Sequence, residues 1–225
     1  MTRTNGFFLL LLLMRPAWAT VDYSLTVDTS SAASQMGYIE FQFNPGSGGS
    51  QLAYSDILNL MTDGSLSPPG TNTGDSSGQL PAGLMQDNQT SFNDYIEGIT
   101  FGNTITFDLL LSGPAIDMPD GTGGGTFTLD FLNSDQSGYL FTDDPINDVP
   151  VFTVDINADG SLTAMTYASE GDGPPVVTFS GPAEVPEPST LALAAAALGL
   201  ALILRNSKTP GHARPRRPCS HPDRA

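Results

Sequence analysis

The chain has 225 residues and a formal net charge of −16, from 24 Asp and Glu against 8 Lys and Arg. The bases lie only towards the two ends: Arg3 and Arg15, then Arg205, Lys208, Arg214, Arg216, Arg217 and Arg224. His212, His221 and Cys219 lie beyond residue 204 as well, so the body between contains no His, Lys, Arg or Cys. That excludes from the body phosphate neutralisation by cations, Ser or Cys nucleophiles with a histidine base, Schiff-base chemistry, Cys/His zinc sites and internal disulfides. Carboxylate chemistry, oxygen-ligand metal binding, or no chemistry at all remain.

In chain order, residues 1–19 read as a signal peptide. Arg3 supplies a positive start, Phe7 to Met14 an apolar run, and Ala17-Trp18-Ala19 an A-x-A cleavage pattern. The run is too short to span a bilayer core of about 30 Å; the competing readings are a short N-terminal anchor or a buried strand.

Residues 20–184 form an acidic body that holds every acid except Glu187 and Asp223. Period-two alternation marks strands around Tyr23–Asp28, Ile39–Phe43, Thr104–Leu111, Phe127–Phe131 and Phe152–Ile156. Further strand candidates are 52–60, 95–101, 138–142, 161–168 and 176–180, and a helix capped by Asp56 competes for 55–61. Residues 63–83, rich in Gly, Ser, Pro, Thr and Asn, read as a long surface loop. Turn residues such as Asn44-Pro45-Gly46, Ser112-Gly113-Pro114 and Asp159-Gly160 punctuate the strands. The pattern predicts an all-β fold, an antiparallel β-sandwich or jelly roll.

Residues 185–208 begin with Val185-Pro186-Glu187-Pro188-Ser189-Thr190, followed by an all-apolar stretch from Leu191 to Leu204, then Arg205 and Lys208. Prolines 186 and 188 keep the entry extended. The stretch reads as a single transmembrane helix of about 21 Å, with Arg205 and Lys208 as the topology signal that keeps the body outside. Residues 209–225 read as a disordered basic tail.

Three carboxylate groupings in the body invite a functional reading. Asp155-Ile156-Asn157-Ala158-Asp159-Gly160 fits the first half of a calcium loop, but the twelfth position is Thr166 rather than a bidentate acid. The same residues fit a hairpin with its turn at Ala158–Gly160. Asp143, Asp144, Asn147 and Asp148, bent by Pro145, are a second candidate for a hard cation; Asp117 and Asp120 are a third. Calcium is the one candidate cofactor. Paired acids also define a glycosidase-like alternative, without any distinctive spacing, and the protease triplet Asp-Thr/Ser-Gly is missing at Asp28-Thr29-Ser30. Tyr38, Tyr54, Tyr95, Tyr139 and Tyr167 can stack on sugars or fill a half-buried sheet.

The arrangement from Val185 to Lys208 resembles the PEP-CTERM sorting signal: a Pro-Glu-Pro motif, a short apolar helix and a basic end. The resemblance implies a Gram-negative host with an exosortase, a membrane-embedded cysteine transpeptidase that recognises residues 185–190 and removes the helix and tail. It also implies an inner-membrane intermediate and final placement at the cell surface or in the extracellular polysaccharide matrix. The body resembles a group of PEP-CTERM ectodomains through Asp28-Thr29-Ser30-Ser31, Gly37 to Gly46, Ser91 to Tyr95 and Gly98 to Gly102; that likeness implies secretion and a β fold and names no ligand. The expectation is an exported β-sandwich without a catalytic centre, structural or adhesive in exopolysaccharide or biofilm. The alternatives are a carbohydrate-binding module and a secreted glycosidase-like enzyme.

Overall fold

The computed structural model describes residues 20–46, 48–143 and 149–181. The predicted signal peptide, sorting segment, transmembrane helix and basic tail lie outside the described residues, as do Asp144 and Asp148. Among the described residues no helix is long and apolar enough to cross a membrane.

Twelve strands follow in order: β1 (Val21–Asp28), β2 (Met36–Asn44), β3 (Tyr54–Thr62), β4 (Ser65–Thr73), β5 (Ser76–Gln79), β6 (Gly83–Asp87), β7 (Asp94–Thr100), β8 (Thr104–Ser112), β9 (Gly125–Asn133), β10 (Phe152–Ile156), β11 (Leu162–Thr166) and β12 (Val177–Ser180). One helical turn, α1 (Pro114–Asp117), follows β8. The strands build two antiparallel six-stranded sheets, ordered β12-β1-β8-β3-β6-β5 and β11-β10-β9-β2-β7-β4. This is the predicted sandwich.

The alternation explains why. On β2, Ile39, Phe41 and Phe43 are fully buried; on β8, Ile105, Phe107, Leu109 and Leu111 are too, or nearly so. These inner faces meet: the Phe41 and Phe107 rings, one from each sheet, lie edge to face at 5.4 Å. Phe127, Phe131 and Phe152 fill the same layer, each aromatic contributing a large buried apolar area. In β3 the alternation changes phase. Ser55 and Ile57 face inward, then Leu60 does, because a register shift between Leu58 and Met61 inserts an extra position. Asn59 takes up the bulge with φ +54°, and its amide donates to Asp108 Oδ2 at 2.7 Å.

Three sequence expectations are corrected. Of the two readings at residues 52–61 the strand holds and the helix does not, because Tyr54 to Leu58 pair with β8 and Tyr54 to Ile57 with β6. Residues 63–83 are not one loop: they supply β4, the edge of one sheet, then β5, the edge of the other, and enter β6. Their polar composition suits edges, which bury little, and Pro68 and Pro69 fall where the β4–β7 register shifts between Ser67 and Thr71. Residues 138–142 form no strand; only a single bridge joins Tyr139 to Leu132.

Candidate functional site

The first calcium candidate is a hairpin. β10 and β11 pair from Phe152↔Thr166 to Ile156↔Leu162, and Gly160 turns the chain at φ +81°. The Asp159 carboxylate is held by its own turn, accepting the Ser161 amide at 3.0 Å and the Ser161 hydroxyl at 2.5 Å. These bonds hold its pKa below the ordinary aspartate value. The Asn157 amide donates to Ser161 and Thr163 hydroxyls at 3.1 and 2.9 Å. Asp155 accepts the Thr126 hydroxyl at 2.5 Å, from the neighbouring strand β9. Each of the three polar side chains therefore already has a partner in the hairpin or beside it. Asp143, from the second candidate cluster, accepts the Asp172 amide at 3.3 Å. Among the described residues no three His, Cys, Asp or Glu side chains group as a metal site.

The tyrosines divide by depth. Tyr95 is fully buried, whereas Tyr38, Tyr54, Tyr139 and Tyr167 are half-buried. Tyr38 and Tyr139 both pair with Leu132, one across β2–β9 and one through the isolated bridge.

A groove of about 560 Å³ opens where the start of the 30–35 segment meets the 140–141 and 169–176 segments. Asp28, Gln35 and Glu170 supply acceptors; Leu140, Phe141, Pro174 and Pro175 supply an apolar wall. Phe141 has φ +62°, a conformation uncommon for a bulky side chain. It is held there by edge-to-face packing on Phe101 at 5.5 Å and Phe131 at 5.3 Å. Asp28 accepts the Ser30 amide at 3.0 Å, and the Ser30 hydrogen bonds keep its pKa low. The volume lies in the ordinary range for small-ligand sites.

Sequence reasoning missed the buried acids. Glu40, Asp94, Glu97 and Asp130 are all more than nine-tenths buried, with exposures of 8, 7, 1 and 1 %. Glu97 lies opposite Ile39 in the β2–β7 register and so faces the core. The Tyr95 hydroxyl donates to it and accepts the Leu80 amide at 3.1 Å. Burial raises the Glu97 pKa, partly offset by that Tyr95 hydrogen bond. The period-two run Tyr95-x-Glu97-x-Ile99 carries the signal that finds this acid in the sequence.

The described residues thus define an acidic antiparallel β-sandwich with a groove lined by both polar and apolar side chains and no Lys, Arg or His. Beyond its last strand, residues 184–207 match the PEP-CTERM protein-sorting motif. The chain carries that motif, and the motif supports export and sorting to the cell surface. No curated protein and no solved structure matches the chain.

Proposed function

We propose that this is an exported surface protein, processed by an exosortase and serving a structural or adhesive role in the extracellular polysaccharide matrix. The observation that carries the reading is the sorting motif at residues 184–207, which follows directly on a body already closed as a sandwich by β12. Residues 1–19 act as the export signal. Val185 to Thr190 present an extended, proline-stiffened segment to the enzyme, the apolar stretch holds it at the inner membrane of a Gram-negative cell, and Arg205 and Lys208 fix its orientation. The body works without a catalytic centre: it has no His, Lys, Arg or Cys to activate a nucleophile, and its carboxylates show no distinctive paired spacing. The test is the intact mass of protein recovered from the cell exterior, with and without the sorting enzyme. The expected product ends near residues 185–190 only when the enzyme is present. A product that keeps the apolar stretch and basic tail in both strains overturns the reading.

A second reading, saccharide binding, draws support from the groove beside Phe141. Hydroxyl and carboxylate acceptors next to an apolar wall suit a neutral polyhydroxylated ligand, and the absence of body cations disfavours an anionic one. Glu170→Ala and Gln35→Ala should each weaken retention on a neutral polysaccharide column about tenfold, on the scale of about 1.4 kcal/mol per lost contact. Unchanged retention of both variants rejects the groove as the binding site.

A further inference from the structure

We propose that Glu40 and Asp94, on the outer face of the β7–β2–β9 strands, form a carboxyl pair that shares one proton at neutral pH. The pair makes the sandwich a pH-responsive fold that tightens in mildly acidic surroundings and loosens in alkaline ones.

Glu40 on β2 and Asp94 on β7 lie on one face, offset diagonally: Gln42 is opposite Asp94, and Glu40 is opposite Ile96. Diagonal neighbours on a sheet are within reach of long side chains, so the register sets these two carboxyls beside each other. Both are more than nine-tenths buried. A directed amide ladder runs along β2, with Asn44 donating to Gln42 Oε1 at 2.8 Å and Gln42 donating to Glu40 Oε1 at 3.1 Å. That ladder supplies Glu40 with a donor. The Asp94 Oδ1, by contrast, is buried without a hydrogen-bond partner.

Among the described residues there is no Lys, Arg or His to face this pair. Asp130 on β9 stands directly across from Glu40. Asp155 on β10 lies farther along and is held by Thr126. Tyr38 occupies the next outward position on β2, and β4 brings no ionisable side chain. Asp135 and Asp143, in the connection after β9, are exposed; Glu97 and Tyr95 face the core. Two adjacent ionised carboxylates in this setting would face both desolvation and like-charge repulsion. One shared proton removes the repulsion and supplies the missing hydrogen bond, as in other coupled carboxyl pairs.

Burial is the first cause of the raised Asp94 pKa, and the Glu40 contact opposes it. A carboxyl raised in the folded state contributes stability that is fully present below its unfolded value, about 3.9. That contribution is lost as pH rises through the folded value. Asp94→Asn makes the donor permanent, because its amide can bond Glu40 at any pH.

The experiment uses the full chain in neutral detergent, followed by thermal unfolding and carboxyl infrared absorption, with all variants in a Glu97→Gln background. Expected are a protonated-carboxyl band at neutral pH that weakens in Asp94→Asn, and a midpoint raised about 3 °C at about pH 8 but unchanged at about pH 4. Glu40→Gln should behave alike, which keeps the test usable if one variant folds poorly. A band indifferent to both substitutions overturns the proposal. So does a midpoint lowered equally at every pH, the mark of a packing role alone. So does a calcium-dependent stabilisation at about pH 8 that Asp94→Asn abolishes, since the pair would then be part of a cation site.

Discussion

The acids of turns and strand ends and the acids buried within strands solve the same problem in opposite ways. Asp28, Asp120, Asp135 and Asp159 each accept the amide of the Ser or Thr two residues on, at 3.0 to 3.1 Å. Asp63 goes further and accepts the Asn103 and Thr104 amides and the Asn103 side chain. All five have lowered pKa values, caused first by hydrogen bonds. The strand acids Asp22, Asp56, Asp94 and Glu97 have raised values, caused first by burial. A body without bases leaves two ways to quiet a carboxylate: neutral donors, from peptide N–H groups or side chains, or a proton. Turns offer free N–H groups because their backbone is unpaired. Strands have committed theirs to the ladder, so their acids lean on side-chain hydroxyls and amides, as Asp108 does on Asn59 and Glu40 on Gln42, or on protons.

The largest effect comes from the deepest strand acid. In Tyr95→Phe the ring stays, packed so closely that a Cβ on Gly70 would collide with it. Only the hydroxyl goes, leaving the Glu97 carboxyl and the Leu80 amide unpaired in the core. A loss of about 2–3 kcal/mol is expected from urea unfolding at neutral pH. A loss below about 0.5 kcal/mol would mean water or another group replaces the hydroxyl, and the core acid does not depend on Tyr95.

Glu97→Gln is the next test, and its sign is opposite. The amide keeps a hydrogen-bonding partner for Tyr95 but cannot ionise. The raised Glu97 pKa means that wild-type stability falls as pH climbs through the folded value. The variant should therefore match the wild type near pH 4 and exceed it near pH 8. A pH-independent difference would show that Glu97 is a packing residue and would break the contrast between turn and strand acids.

How far the sequence reaches follows the same division. The turn acids are legible as Asp-x-Ser or Asp-x-Thr: Asp28-Thr29-Ser30, Asp135-Gln136-Ser137 and Asp159-Gly160-Ser161, where a short local bond needs no tertiary information. The central strands are legible too, since Phe127-x-Leu129-x-Phe131 and Ile105-x-Phe107-x-Leu109 bury one face wherever they land. The edges β4 and β5 are not legible, because Ser-Leu-Ser-Pro-Pro-Gly-Thr-Asn-Thr has little to bury and becomes strand only through β7 beside it. The juxtaposition of Glu40 with Asp94 and Asp130 is likewise invisible. It depends on the β2–β7 and β2–β9 registers, which are long-range facts. The sorting segment, by contrast, is read by another protein as sequence, and its residues 184–207 are recognisable without any fold.

The smallest effect tests the turn class at its best-satisfied member. Asp63 joins the turn after β3 to the Asn103–Thr104 entry of β8, and a lowered pKa ties its contribution to the ionised form. That contribution is present above the unfolded aspartate value and lost as pH falls through the lower folded one, so it acts only on the acid limb. Asp63→Asn keeps an oxygen for the two backbone amides, which both bond Oδ1, and gives up the Asn103 side-chain bond to Oδ2. The variant should unfold slightly more easily at neutral pH, with a shallower loss of stability between about pH 4 and pH 2. Circular dichroism melts across that range check it. An acid limb identical in slope to the wild type would mean that the ionised form carries no advantage there, and that peptide N–H groups do not stabilise this chain's exposed acids in the way the turn geometry implies.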